Sequence, residues 1–152
     1  RLLFIPRQTK AQTHVCTCGM TSRELLTVLD PLLRRYGVNL MLHGHDHAYE
    51  RTYPVYGGKA TSTHEGNLTD PYIANPIGAP SSAPERLDTI HITAGTGGRS
   101  LRACKGRQGY SITGCIHQHG FGILEANRSM LTWTFKGTEG EVLDVFRICR
   151  VL

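Results

Sequence analysis

The order of apolar and polar positions divides the chain into two styles of folding. Near the start, "LLFI" (2–5) is a short apolar run that reads as a buried strand. Residues 7–20 show no period and read as loop. Leu25, Leu26, Leu29, Leu32, Leu33 and Tyr36 then recur at helical spacing and predict one apolar helix face. Thr21 with Glu24 three residues on forms a capping box ahead of them, and Gly37 suits the position just past the last turn. Pro31 lacks the N–H that a helix interior needs, so it should kink this helix or divide it. "VNLML" follows as a buried strand that runs straight into His43. Helix, tight turn and strand make half of a βαβ unit, and ligands of α/β sheets bind beyond the carboxyl ends of the strands.

The pattern then changes. Residues 53–84 are rich in Gly, Pro, Ser, Thr and Asn and read as a long surface excursion with a hairpin at Gly57–Gly58. "TIHITA" alternates like a strand and leads directly into "GTGGRS". From Phe121 onward, "FGILEA", "MLTWTFK" and "EVLDVFRI" are strand-like and are separated by "NRS" and "GTEG". That is the signature of an antiparallel meander, with Trp133 and Phe135 facing a core. The expected fold class is therefore α/β in the N-terminal part and antiparallel β in the C-terminal part, in a single partial domain over 1–152.

Composition narrows the possible functions. The chain has 152 residues and a formal charge of +5, enough for one domain or part of one. Its basic residues are scattered, apart from Arg99, Arg102, Lys105 and Arg107, so no nucleic-acid face is expected. No apolar run reaches membrane-spanning length, so no membrane partner is expected either. The first residue is Arg1, which suggests processing, truncation or an excerpt. Five cysteines leave an odd one; Cys104 and Cys115 could staple one loop, or stay as thiols. Asn67-Leu68-Thr69 and Asn127-Arg128-Ser129 are sequons, so Asn67 and Asn127 are glycosylation candidates. With the cysteines they point to a secreted or lumenal protein, vacuolar or lysosomal included.

The candidate chemistry lies in "HGHDH". On an extended backbone, residues two apart point to one side, so His45 and His47 can share a metal ion. Gly44 allows a sharp turn just before them. His43 stands either in the site or behind it in the core. Two imidazoles suit Zn, Fe or Mn, and a catalytic centre needs further ligands and an open position. The His-x-His-x-Asp-His loop of metallo-β-lactamases does not fit, because it requires Asp where His47 stands. "CTC" (Cys16, Cys18) and "HQH" (His117, His119) lack the spacing of a zinc finger. "GTGGRS" is either a phosphate cradle or a tight turn near the site. Glu50 and Arg51 read as an ion pair bracing the ligand loop.

"GHDHAYER", residues 44–51, resembles the Gly-His-x-His-Ala-Tyr-Glu-Arg signature of purple acid phosphatases, within the calcineurin-like metallophosphoesterases. "LLRRYGVNLMLHGHDHAYERTYPVY", "HITAGTGG" and "FGILEANRSMLTWTF" resemble other parts of that family in the right order. The resemblance implies part of an α/β/β/α sandwich and a dinuclear centre of Fe(III) beside Zn, Mn or Fe(II). By family pattern His45 would serve the divalent metal and His47 the iron, and a metal-bound hydroxide would attack a phosphate monoester of a small molecule in line. It leaves a homodimer open.

The departures are equally specific. No Gly-Asp dipeptide occurs, and Gly66-Asn67 is followed by Leu68 where the family block needs His. The family's upstream His-x-Pro histidine would fall near residues 8–10, where none stands. His14 is the nearest candidate, as a ligand or a substrate-contacting acid, against the default of a solvated loop histidine. The expectation is a C-terminal piece of an acid phosphatase that contributes the His-x-His loop and is inactive alone. The rivals are a non-catalytic relic that keeps the fold and a small zinc-binding module.

Overall fold

Strands with one apolar face need a second layer to cover it. The chain provides that layer with two sheets. The computed structural model describes residues 2–4, 25–74, 87–103 and 109–150. In chain order the strands are β1 (Leu2–Phe4), β2 (Leu40–His43), β3 (Tyr49–Tyr56), β4 (Lys59–Ala60), β5 (Tyr72–Ala74), β6 (Thr89–Ala94), β7 (Gly120–Ala126), β8 (Met130–Gly137) and β9 (Val142–Arg150). The first sheet has the order β1-β2-β6-β3-β4 and the second β5-β9-β8-β7. β1, β2 and β6 run parallel, with β3 antiparallel on the far side of β6. β7, β8 and β9 form the expected meander, and β5 adds to it in parallel.

The core lies between the sheets. Leu40, Tyr49, Ile90 and Ile92 of the first pack with Tyr72, Trp133, Phe135, Phe146 and Ile148 of the second. Tyr49 lies flat on Phe135, with ring centroids 3.8 Å apart. Trp133 and Phe135 are buried, as their alternation with Thr132 and Thr134 suggests.

The helix is divided ahead of Pro31. Leu25–Leu29 form a π-helical turn, and α1 (Asp30–Arg35) continues it with Pro31 in its first turn. Pro31 has no N–H to give to the preceding turn, and the helical bonding changes type just ahead of it. The expected apolar face is only partly covered: Leu33 is buried, while Leu32 and Tyr36 of the same face are exposed. Gly37, at φ +61°, closes the helix. Its N–H reaches the Arg34 carbonyl and that of Val38 reaches Leu33, the Schellman pattern. Thr21 and Glu24 lie outside the described residues, as do His14, Cys16, Cys18 and Cys104.

The excursion expected from Tyr53 onward starts later. β3 runs to Tyr56 before Gly57 and Gly58, both at positive φ, turn it into β4. Pro54 follows a register shift in the β3–β6 ladder, where a missing donor does least harm. Tyr72 and Ala74 of β5 are buried, so this stretch adds a strand to the second sheet. Cys115 is disulfide-bonded, and Cys149 is a free thiol. No described helix is long and apolar enough to cross a membrane.

Candidate metal centre

Gly44–Ala48 arch between the end of β2 and the start of β3, and each foot of the arch is buried. The first foot is His43. Its Nε2 lies 3.0 Å from Nδ1 of His91, and the two rings stack with centroids 5.2 Å apart. Burial drives the pKa of His43 down to about 3, with the neighbouring His91 adding to the effect. Burial alone lowers His91 to about 4. His43 is thus placed behind the loop, with Nε2 already engaged, while its buried Nδ1 has no partner.

His45 is exposed and sits at φ +80°. A non-glycine residue in that region is strained, by an amount on the order of 1–3 kcal/mol. The sharp turn therefore falls on His45 itself and not on Gly44. The loop is bent here, so the extended-strand argument for a shared side does not describe it. His47 is oriented by a different device. Its Nδ1 lies 3.0 Å from the Ser100 carbonyl, which can only accept. The ring proton therefore sits on Nδ1, and Nε2 keeps a free lone pair for a metal.

"GTGGRS" supports this loop from below, which matches the tight-turn reading. The Gly95 N–H donates to the Ala48 carbonyl. A Cβ on Gly95 would collide with the Asp46 carbonyl. Arg102 adds two bonds: its backbone N–H reaches the His47 carbonyl, and its guanidinium pairs with Asp46 at 2.9 Å. His119 approaches the same turn, with Nδ1 3.0 Å from the Thr96 carbonyl.

The second foot is Tyr49, followed by Arg51. Adjacent strand residues point to opposite faces, so Arg51 does not turn to Glu50. Its partner is Asp144 on β9, held bidentately: Nε to Oδ2 at 2.7 Å and Nη2 to Oδ1 at 2.8 Å. Arg51 Nη1 donates to the Glu65 carbonyl, and the guanidinium lies over the Phe146 ring. The Tyr49 hydroxyl donates to Asp144 Oδ2 at 2.5 Å and accepts from Trp133 Nε1 at 3.0 Å. Burial and the Asp144 charge push the Tyr49 pKa upward. Burial opposes the charge on Arg51, but Asp144 outweighs it and the net shift is up. The Tyr-Glu-Arg segment therefore fastens the loop to the second sheet.

Neither Asp144 nor His91 stands out as a site residue in the sequence. The signal for Asp144 was present: Asp144, Phe146 and Ile148 share the inward face of β9, and a carboxylate among core positions needs a buried partner. Arg102 showed only as one member of a basic cluster, and Ser100 contributes a main-chain carbonyl, which side-chain identity does not signal.

The donor set fits half of a metal centre. His45 and His47 are imidazoles, and one has its second nitrogen tied back as metal-binding histidines do. Among the described residues, no three His, Cys, Asp or Glu come together to hold an ion.

A family model described as "Iron/zinc purple acid phosphatase-like protein C" matches residues 88–145. The structure of purple acid phosphatase PPD1 from yellow lupin (Lupinus luteus) seeds superposes with a TM-score of 0.65 at 32% identity, covering 80% of this chain. The chain is similar to purple acid phosphatases. It matches the family's C-terminal portion. "Probable inactive purple acid phosphatase 1" of Arabidopsis thaliana is 32% identical over 124 residues, 80% of this chain. "Acid phosphatase type 7" of Danio rerio is 39% identical over 70 residues, 46% of this chain. The chain spans only 19% of the lupin protein, 18% of the Arabidopsis protein and 13% of the zebrafish one. The two mixed sheets agree with the metallophosphoesterase fold.

Proposed function

We propose that the protein containing this chain is an acid phosphatase that hydrolyses small phosphate monoesters, and that this chain contributes its His-x-His ligand loop. The observation that carries the reading is the tethered His47 ring beside the strained His45, on a loop held by Gly95 and Arg102. His45 would hold the divalent metal (Zn, Mn or Fe(II)) and His47 the Fe(III). When bound, such a pair of metals supplies a nucleophile from water at acidic pH and stabilises the charge on the phosphoryl oxygens. The chain's own part is to orient the two imidazoles and to keep their arch from moving. His43 stays behind the arch as a neutral core residue. His14 lies outside the described residues and keeps its role as a candidate acid or ligand.

A secreted or lumenal setting accompanies this reading, without nucleic-acid or membrane partners and with a homodimer open. Asn67 and Asn127 are exposed. Each accepts, at its side-chain oxygen, the hydroxyl of the residue two further on. Both therefore suit N-glycosylation.

The second reading is a non-catalytic relic, favoured by the relative whose name calls it probably inactive. Turnover of an aryl phosphate at acidic pH by the natural protein that carries this chain separates the two. Turnover lost on His45→Ala supports the phosphatase; a metal-free protein without turnover supports the relic.

A further inference from the structure

The ligand arch reaches its metal-facing shape only if β3 starts where it does. A slip of one residue would exchange Tyr49 for Glu50 on the buried face and move His47 with it. The β3–β6 ladder pairs Tyr49, Glu50 and Arg51 with Ala94, Thr93 and Ile92, and its register shifts between Arg51 and Pro54. On the other edge β3 is bridged at Tyr49 to Ile116 and at Thr52 to Ser111, with further backbone bonds from Tyr53 to Tyr110 and from Ile112 to Arg51. To this main-chain pairing Asp144, which lies 95 residues from Tyr49 and 93 from Arg51, adds a side-chain anchor. It takes the Tyr49 hydroxyl and both arms of the Arg51 fork at once, and it is buried with them. Its two oxygens thus help to set the rotation and register of the strand whose first residue is two positions past His47.

We propose that Asp144 is a positioning residue for the His45–His47 pair, acting through Tyr49 and Arg51. The inference rests on the metal reading above, and Asp144 itself touches no metal. Removal of groups that orient metal ligands weakens binding by about 10–100-fold in general. Asp144→Asn keeps the shape, but it cannot accept with full charge from both the guanidinium fork and the hydroxyl. Tyr49→Phe keeps the ring stacked on Phe135 and removes only the hydroxyl.

The test is titration of the natural protein that carries this chain, stripped of its metals, with Co2+, followed by its visible absorption bands, with circular dichroism checking that each variant is folded. His47→Ala should weaken Co2+ binding and change the bands. Folded Asp144→Asn should raise the Co2+ dissociation constant about tenfold and alter the band shape, with a smaller change for Tyr49→Phe. If Asp144→Asn does not fold, Tyr49→Phe decides. Folded variants with the parent's affinity and spectrum would overturn the positioning role and leave the metal reading standing. A natural protein that binds no Co2+, or binds it equally after His47→Ala, would overturn the metal reading and this inference with it.

Discussion

Gly95 lies against the Asp46 backbone so closely that a Cβ would collide with the Asp46 carbonyl. The glycine is required by the Gly44–Ala48 arch passing over it, not by its own backbone angles. Gly95→Ala should therefore displace the arch and cost about 1–3 kcal/mol, the range for forcing atoms into packed space. Gly97, two residues on, has open space around its Cβ position. Gly97→Ala should stay within about 0.5 kcal/mol of the parent. Urea denaturation of the two variants checks this, and equal costs would remove the steric role from Gly95.

Arg51 and Asp144 should behave as a coupled pair. Removing one partner leaves the other as an uncompensated buried charge, so Arg51→Met alone should cost about 3–5 kcal/mol. Arg51→Met with Asp144→Leu should recover part of that loss, since two apolar residues leave no charge stranded. Arg51→Lys should fall between, because it keeps the charge and loses the fork. A double-mutant cycle by chemical denaturation measures the coupling. Additive costs would mean that the two side chains do not act together.

The His43–His91 pair sets a pH limit on the fold. Both rings are held neutral, with pKa values of about 3 and about 4 against an ordinary 6.5. As pH falls below 6.5 the unfolded chain takes up two protons that the folded chain refuses. Stability is therefore full above pH 6.5 and declines from there toward pH 4. Each ring contributes about 1.4 kcal/mol per pH unit within that window. Denaturation midpoints at pH 7 and pH 5 measure the loss. His43→Phe should shallow the slope, and an unchanged slope would place the proton uptake elsewhere.

Much of this architecture was legible in the chain. The meander from Phe121 onward is a period of two with turn residues at each bend, and β7, β8 and β9 follow it closely. "VNLML" and "TIHITA" became strands as expected, but their parallel pairing across the fold was not legible. What the sequence hid were relationships across long separations. Arg51 looked like a partner for Glu50 because neighbours in sequence are easy to pair, whereas strand geometry sends it to Asp144. His45 looked extended because alternating histidines suggest a strand, and only the fold shows the left-handed turn there. The π-helical turn is a choice of hydrogen bonding that side-chain spacing does not encode.

The chain by itself should not be a phosphatase. Two imidazoles cannot bridge two metals, and the described residues bring no carboxylate to the arch as a third ligand. An assay of the 152-residue chain with an aryl phosphate and added Zn2+ or Fe3+ should show no turnover above the metal alone. Turnover that vanished in His45→Ala would contradict this.

Metal content is the most direct measurement of the central claim that the His45–His47 arch is part of a dinuclear centre. The natural protein that carries this chain should contain about two metal ions per molecule by elemental analysis, one of them iron. His47→Ala should lose the iron while the protein remains folded. A folded natural protein with no bound metal, or with a metal content unchanged by His45→Ala and His47→Ala, would contradict it.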